Sequence, residues 1–264
     1  MKIYDCFPFY DELMLLEIRL KELAPVVDKF VLVEATHTHS GKPKPLYYDE
    51  VKDNEVFGPF KDKITHIIYD LPMLPDRFAN DRNQRNHIAF GLHHFAKTDD
   101  IVIVSDLDEI IDHRAVLAME RFKCPTRLEM KLFYYYFNCQ ADQNWLYPAF
   151  CRWSDYQTAD GLRLGQNFVC IANAGWHFSY LVPPDRIPKK LEAFAHAEYD
   201  TDYFKDEERL KKCVDANEDI FERGMKFTIE PLDAPKCVME NEDKYRQFIR
   251  QTDTAGHAEQ PVSG

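Results

Sequence analysis

Residues Ile101-Val102-Ile103-Val104 are four consecutive β-branched apolar residues, and two positions later the chain reads Asp106-Leu107-Asp108. A run of that kind predicts a strand buried on both faces, as in a parallel sheet covered by helices. Side chains alternate along an extended backbone, so Asp106 and Asp108 point the same way while Leu107 turns back into the core. Two carboxylates held that close repel each other unless positive charge lies between them, and a hard divalent cation with oxygen ligands supplies it. In open α/β sheets the crevice at the carboxyl ends of the strands is also where ligands bind. The competing reading is that Asp106 or Asp108 only caps a helix over residues 112–122.

The 264 residues suffice for one large domain or two small ones, and 45% hydrophobic with 14% aromatic residues supports a globular core. A net charge of -12 disfavours nucleic acid and anionic membrane as general partners. Any phosphate the chain binds must therefore be met by a local basic pocket or a metal. No apolar run reaches the roughly 18 residues of a transmembrane helix, and Met1 to Cys6 lacks the pattern of a signal peptide. These features predict a cytoplasmic protein without a transmembrane segment. Its seven cysteines contain no Cys-x-x-Cys pair, which predicts reduced thiols and no structural zinc.

Ahead of the acidic strand, the pattern predicts strands over 2–6, 29–34 and 64–69 and helices over 12–23, capped by Asp11, and 80–96. That alternation predicts a parallel, doubly wound sheet over the first 110 or so residues. In the helix over 80–96, Arg85 shares a face with Ile88 and Leu92, so it lies toward the sheet and near an anion bound at the aspartates. Pairing with Asp76 or Asp81 is the alternative for Arg82 and Arg85. Beyond residue 125 long strands are expected over 129–137 and 168–180, with His177 and Ser179 on the polar face of the second. Helices are expected over 185–195, 204–216 and 243–250, and residues 251–264 lack apolar periodicity and read as a flexible tail.

Several segments together resemble glycosyltransferase family 17. They are Ile3-Tyr4-Asp5-Cys6-Phe7, Glu12-Leu13 with Leu15-Leu16-Glu17-Ile18-Arg19-Leu20, and Val33-Glu34 with Thr38 and Gly41-Lys42-Pro43-Lys44-Pro45-Leu46. Gln84-Arg85-Asn86, Ser105-Asp106-Leu107-Asp108-Glu109 and Ala174-Gly175-Trp176-His177-Phe178-Ser179 complete the set, in order across residues 2–250. The resemblance implies a GT-A-type fold: a Rossmann-like, mostly parallel sheet flanked by helices, with a mixed β region on the acceptor side. It implies a single domain over 1–250, with a nucleotide-sugar half (1–122) and an acceptor half (123–250).

The implied activity is inverting transfer of a sugar, N-acetylglucosamine in the family, from a UDP-sugar to a glycan hydroxyl, with Mn2+ or Mg2+. Asp106, Asp108 and His177 become the metal set, with His196 a rival to His177. Phe7, Glu34, Thr38, Arg82, Arg85 and Asp106 become donor contacts. Lys189 and Lys190 either meet phosphate or form a solvated helix face. Asp185 is the first choice for the base that inversion requires, with Glu198 and Asp142 as alternatives. Trp145 and Tyr147 are expected to stack on acceptor sugars. The sequence shows no anchor or stem of the kind the animal members carry, which favours a polysaccharide, lipid-linked glycan or glycoprotein acceptor over a bisected N-glycan. Two rival readings are a haloacid dehalogenase-like phosphatase, whose Asp-x-Asp also follows a buried strand, and a sugar-nucleotide-binding module without turnover.

Overall fold

A computed structural model describes residues 1–70 and 72–251, so of the expected tail all but Gln251 lies outside the described residues. The strands are β1 (Ile3–Phe9), β2 (Lys29–Ala35), β3 (Ile64–Tyr69), β4 (Ile101–Val104), β5 (Glu109–Ile111) and β6 (Thr126–Leu128). They continue with β7 (Met130–Tyr134), β8 (Cys139–Trp145), β9 (Ala149–Arg152), β10 (Val169–Ile171), β11 (Gly175–Ser179) and β12 (Phe227–Ile229). Two mixed sheets result, one in the order β10-β6-β9-β4-β1-β2-β3 and one in the order β12-β8-β7-β11-β5. The fold is mixed α/β.

Strands β4, β1, β2 and β3 are mutually parallel, as the alternation of the first 110 residues requires. All four residues of β4 are buried, so the doubly covered strand is where the apolar run places it. The chain passes from β1 outward to β2 and β3 and then returns to β1's other side with β4. The crevice between β1 and β4 is thus the switch point at which such sheets bind ligands.

Elsewhere the elements depart from the sequence pattern, for local reasons. Residues 168–180 form two strands in different sheets, because Asn173 (φ 52°) and Gly175 turn the backbone between β10 and β11. The helix expected over 80–96 begins earlier, capped by Asp76, and breaks at His87 into Arg77–Asn86 and Ile88–Leu92. Asp11 does not cap its helix; its carboxylate accepts from Lys189 instead. Asp112, not Asp106 or Asp108, caps the helix His113–Ala118. The boundary placed at residue 122 does not separate the sheets, since β6, β9 and β10 join the first sheet and β5 joins the second. All seven cysteines are free, with Cys6 and Cys151 packed in the core.

Five connections between consecutive strands cross between the sheets; the one from β5 to β6 spans residues 112–125 and carries the helix His113–Ala118, and the other four are short. Residues 105–108 link β4 to β5, Glu129 links β6 to β7, residues 146–148 link β8 to β9, and 172–174 link β10 to β11. The Asp-x-Asp segment is therefore a seam between sheets, held from both sides.

Candidate active site in a seam between two sheets

A fully buried arginine holds the seam. Arg19 lies three or four positions from Leu15, Leu16 and Leu23 and so shares the inward face of the helix Leu13–Leu23. Its guanidinium is fixed by a bidentate pair with buried Asp5 at 2.6 and 2.8 Å. The remaining N–H groups donate to the backbone carbonyls of Asp106 (2.6 Å), Leu107 (3.2 Å) and Glu109 (3.0 Å). One side chain thus sets the curve on which both aspartates sit.

The two carboxylates have different surroundings. Asp106 is clamped: Arg85 donates to Oδ1 from Nε (3.2 Å) and Nη2 (3.0 Å), and Arg163 donates to Oδ2 at 2.6 Å. Burial pushes the Asp106 carboxyl up, but the two guanidinium groups more than offset it and hold it below the usual range. Asp108 is held loosely. His177 Nε2 stands 3.6 Å from Oδ1 and Lys190 Nζ stands 3.6 Å from Oδ2, both longer than a hydrogen bond. Burial raises this carboxyl too, and the nearby His177 and Lys190 outweigh it, so Asp108 is also ionised well below the ordinary range.

Asp106, Asp108 and His177 therefore do not converge as three ligands. Among the described residues the one cluster of three metal-binding side chains with ligand atoms within 4.8 Å is Glu22, Asp112 and His113, away from the seam. Asp112 there is already spent on Arg114. The donor set that fits a cation at the seam is Asp108 with His177. Asp108's carboxylate oxygens are free of hydrogen bonds among the described residues, His177 Nε2 faces them at 3.6 Å, and the other imidazole nitrogen, Nδ1, is a buried polar atom without a partner. A carboxylate with an imidazole suits a divalent metal ion, the carboxylate being the donor that Mn2+ favours.

A cleft of about 180 Å³ opens over the carboxyl ends of β1, β2 and β4. Its wall includes Phe9, Tyr10, Thr38, Gln84, Arg85, Asp106, Asp108 and Lys190. Gln84 ties its floor together, donating to the carbonyls of Phe9 (3.3 Å) and Val33 (3.0 Å). Asn86 accepts from the backbone of Asp160, so Gln84-Arg85-Asn86 binds three parts of the site at once. Four carboxylates on the wall, Glu12, Asp81, Asp106 and Asp108, face three cations, Lys44, Arg85 and Lys190. An anionic ligand entering this cleft requires additional positive charge.

Several expected site residues lie elsewhere. Phe7 is fully buried in the core beneath Arg19, whose guanidinium carbon is 4.3 Å from the ring centroid. Glu34 is also fully buried, accepting from the backbone of Tyr47 and Tyr48 and from Lys44 and His66, so it caps the following loop and does not face the cleft. Arg82 is exposed and outside the cleft wall, while Arg85 pairs with Asp106 and Asp81 together. Asp185 and Glu198 are exposed and outside the wall, Glu198 being paired with His196 at 2.7 Å. The acids that do line the cleft without holding the seam are Glu12 and Asp81.

The Trp145 ring packs at a tilt against His177 (centroids 4.4 Å apart) and Tyr147 (4.7 Å), and its indole N–H donates to Glu109. Both aromatics line a second groove, with Gln143, Asn144, Arg163, Gln166 and Asn167. Arg163, which bridges Asp106 to Glu109, is the partition between cleft and groove. Its helix, Ala159–Leu164, escaped the sequence reading because six residues hold too little periodicity. Thr158 as cap and Gly165 as stop were the available signals.

The family model of glycosyltransferase family 17 matches residues 1–230. The chain belongs to glycosyltransferase family 17. Among curated members of family 17, β-1,4-mannosyl-glycoprotein 4-β-N-acetylglucosaminyltransferase of Rattus norvegicus is 25% identical, over 94% of this chain and 54% of that protein. The protein of the same name from Homo sapiens is 24% identical, over 90% of this chain and 53% of its own length. The chain thus spans about half the length of the curated relatives it matches. No helix among the described residues is long and apolar enough to cross a membrane.

Proposed function

We propose that this family 17 member transfers N-acetylglucosamine from its UDP donor to a glycan hydroxyl, with inversion, using a divalent cation such as Mn2+ at Asp108 and His177. The observation that carries the reading is the loosely held Asp108 facing His177 across 3.6 Å, in a cleft whose wall carries more carboxylates than cations. The relatives' printed names support the sugar. The parallel β3-β2-β1-β4 arrangement with its cleft at the carboxyl edge is what a GT-A-type donor site needs.

When bound, the cation supplies Lewis acidity toward a departing diphosphate. The protein's own residues do the rest. Arg85 and Arg163 keep Asp106 ionised and fixed, and through it they fix the loop that presents Asp108. Thr38, on the cleft wall, stands on the donor side. Trp145 and Tyr147 offer ring faces to acceptor sugars in the groove beyond Arg163, where the amides of Gln143, Asn144, Gln166 and Asn167 suit sugar hydroxyls. Glu12 or Asp81 takes the acceptor's proton in preference to Asp185 or Glu198, because only groups on the cleft wall are near the reacting atoms.

Neither rival reading gains support. A nucleophilic aspartate of the phosphatase kind needs a free oxygen, and both oxygens of Asp106 are taken by arginines. The deciding experiment offers the purified protein a panel of UDP-sugars with Mn2+ or with EDTA and measures UDP release. Slow hydrolysis of UDP-N-acetylglucosamine is expected, abolished by EDTA and by Asp108→Ala. Equal turnover in EDTA overturns the metal-dependent mechanism.

A further inference from the structure

Lys190 stands on the helix Ile187–Ala193 with its ammonium between two carboxylates, 3.3 Å from Glu12 Oε1 and 3.6 Å from Asp108 Oδ2. It packs over the Tyr180 ring at 5.2 Å, and its side chain is 21% exposed. The contrast with Asp106 is informative. There two planar guanidinium forks lock the carboxylate at hydrogen-bond distance; at Asp108 the cation is a point charge on a flexible stem, held at longer range. A lysine so placed is retractable.

We propose that Lys190 is an exchangeable counter-ion, neutralising Asp108 in the empty cleft and passing to the donor's phosphate oxygens once a divalent cation takes Asp108. This rests on the metal-dependent reading given above. A divalent cation on Asp108 repels the ammonium beside it, and unlike the two guanidinium groups on Asp106 the lysine is not fixed to the carboxylate at hydrogen-bond distance, so it is the group that moves. A bound diphosphate offers it a new acceptor in the same cleft, while Glu12 keeps it tethered. Lys190 would then be a residue that opposes metal binding alone but favours metal and nucleotide together.

The test uses Lys190→Met and Lys190→Arg in the full chain. Free Mn2+ is followed by electron paramagnetic resonance without nucleotide, and UDP affinity is measured calorimetrically at saturating Mn2+. Lys190→Met should bind Mn2+ about tenfold more tightly and UDP about tenfold more weakly, the scale of an ordinary coupling between adjacent sites. Lys190→Arg, which keeps the charge, should move both values back toward wild type. A structural role predicts that Met weakens both, and that result overturns the proposal, as does an unchanged affinity for either ligand. Wild-type protein that binds neither Mn2+ nor UDP counts against the functional reading itself; normal wild-type binding with an indifferent Lys190→Met counts against Lys190 alone.

Discussion

Asp106 and Asp108 are chemically alike and two positions apart, yet the protein gives one to arginines and leaves the other to exchangeable partners. The clamp on Asp106 has a measurable pH signature. Its folded pKa is depressed by Arg163 and Arg85 despite burial, so the stabilisation it provides is present above the unfolded carboxylate's pKa, about 4, and is lost as pH falls below it. Asp106→Asn should therefore cost about 1–3 kcal/mol at pH 7, as expected for a charged hydrogen-bonding partner lost from a partly buried site. Urea titrations at pH 7 and at about pH 3 should show the gap to wild type shrinking at the lower pH. A gap of constant size would mean that the carboxylate's charge is not what the arginines hold. The Arg85 half of this clamp is legible in the sequence, because helical spacing alone turns Arg85 toward the sheet. Arg163 is not, since it arrives on a short helix from far along the chain, and Glu34 misleads because a strand-end acid looks alike whether it faces a ligand or caps a loop.

Among the elements, β11 decides whether His177 meets Asp108, and Gly175 decides where β11 lies. A Cβ built on Gly175 would stand 2.2 Å from the carbonyl oxygen of Ile110 and 2.9 Å from the Cα of Ile111 in the neighbouring strand β5. Both are backbone atoms of a paired strand, so neither yields as a flexible side chain would. Gly175→Ala should destabilise the fold by about 1–3 kcal/mol, the usual cost of overpacking. That corresponds to a Tm lower by several degrees, at about 2–4 °C per kcal/mol for a chain near this size. It should also weaken Mn2+ binding, because separating β11 from β5 moves the His177 imidazole away from the Asp108 carboxylate, which lies on the loop entering β5. Thermal melts and metal titration of the same sample check both; a lowered Tm with unchanged Mn2+ affinity would detach His177 from the cation site. Strands β1, β2 and β3 were readable because each is a mainly apolar run followed by a helix, and β4 because all four of its residues are apolar and β-branched. Residues 168–180 were misread for the opposite reason: their alternation continues across a turn that only tertiary pairing reveals, at a glycine whose significance lies in what it touches.

At the scale of the whole molecule, the site occupies the place where the two sheets exchange strands. Residues 105–108 leave β4 in the first sheet and enter β5 in the second, while Arg19 binds the carbonyls of this loop from a helix that follows β1. A ligand gripping Asp108 and His177 would thus be bonded to the β4–β5 crossing and to β11, which pairs with β5 and β7. Binding to the native state alone stabilises it by mass action, and every amide whose exchange requires opening of that seam should share the gain. With UDP and Mn2+ at about 100 times their apparent Kd, the gain is about 2.7 kcal/mol, or roughly a hundredfold slower exchange. Hydrogen exchange should therefore slow in Ile101–Val104 of the first sheet and in Gly175–Ser179 of the second together, and in neither for Asp108→Ala. Protection confined to β1, β2 and β4 would place the ligand on the first sheet only, and the second sheet's histidine would have no part in holding it. The helix Glu207–Ala216 contributes no residue to the cleft wall and serves as the internal control, since its local opening should exchange at the same rate with and without ligand.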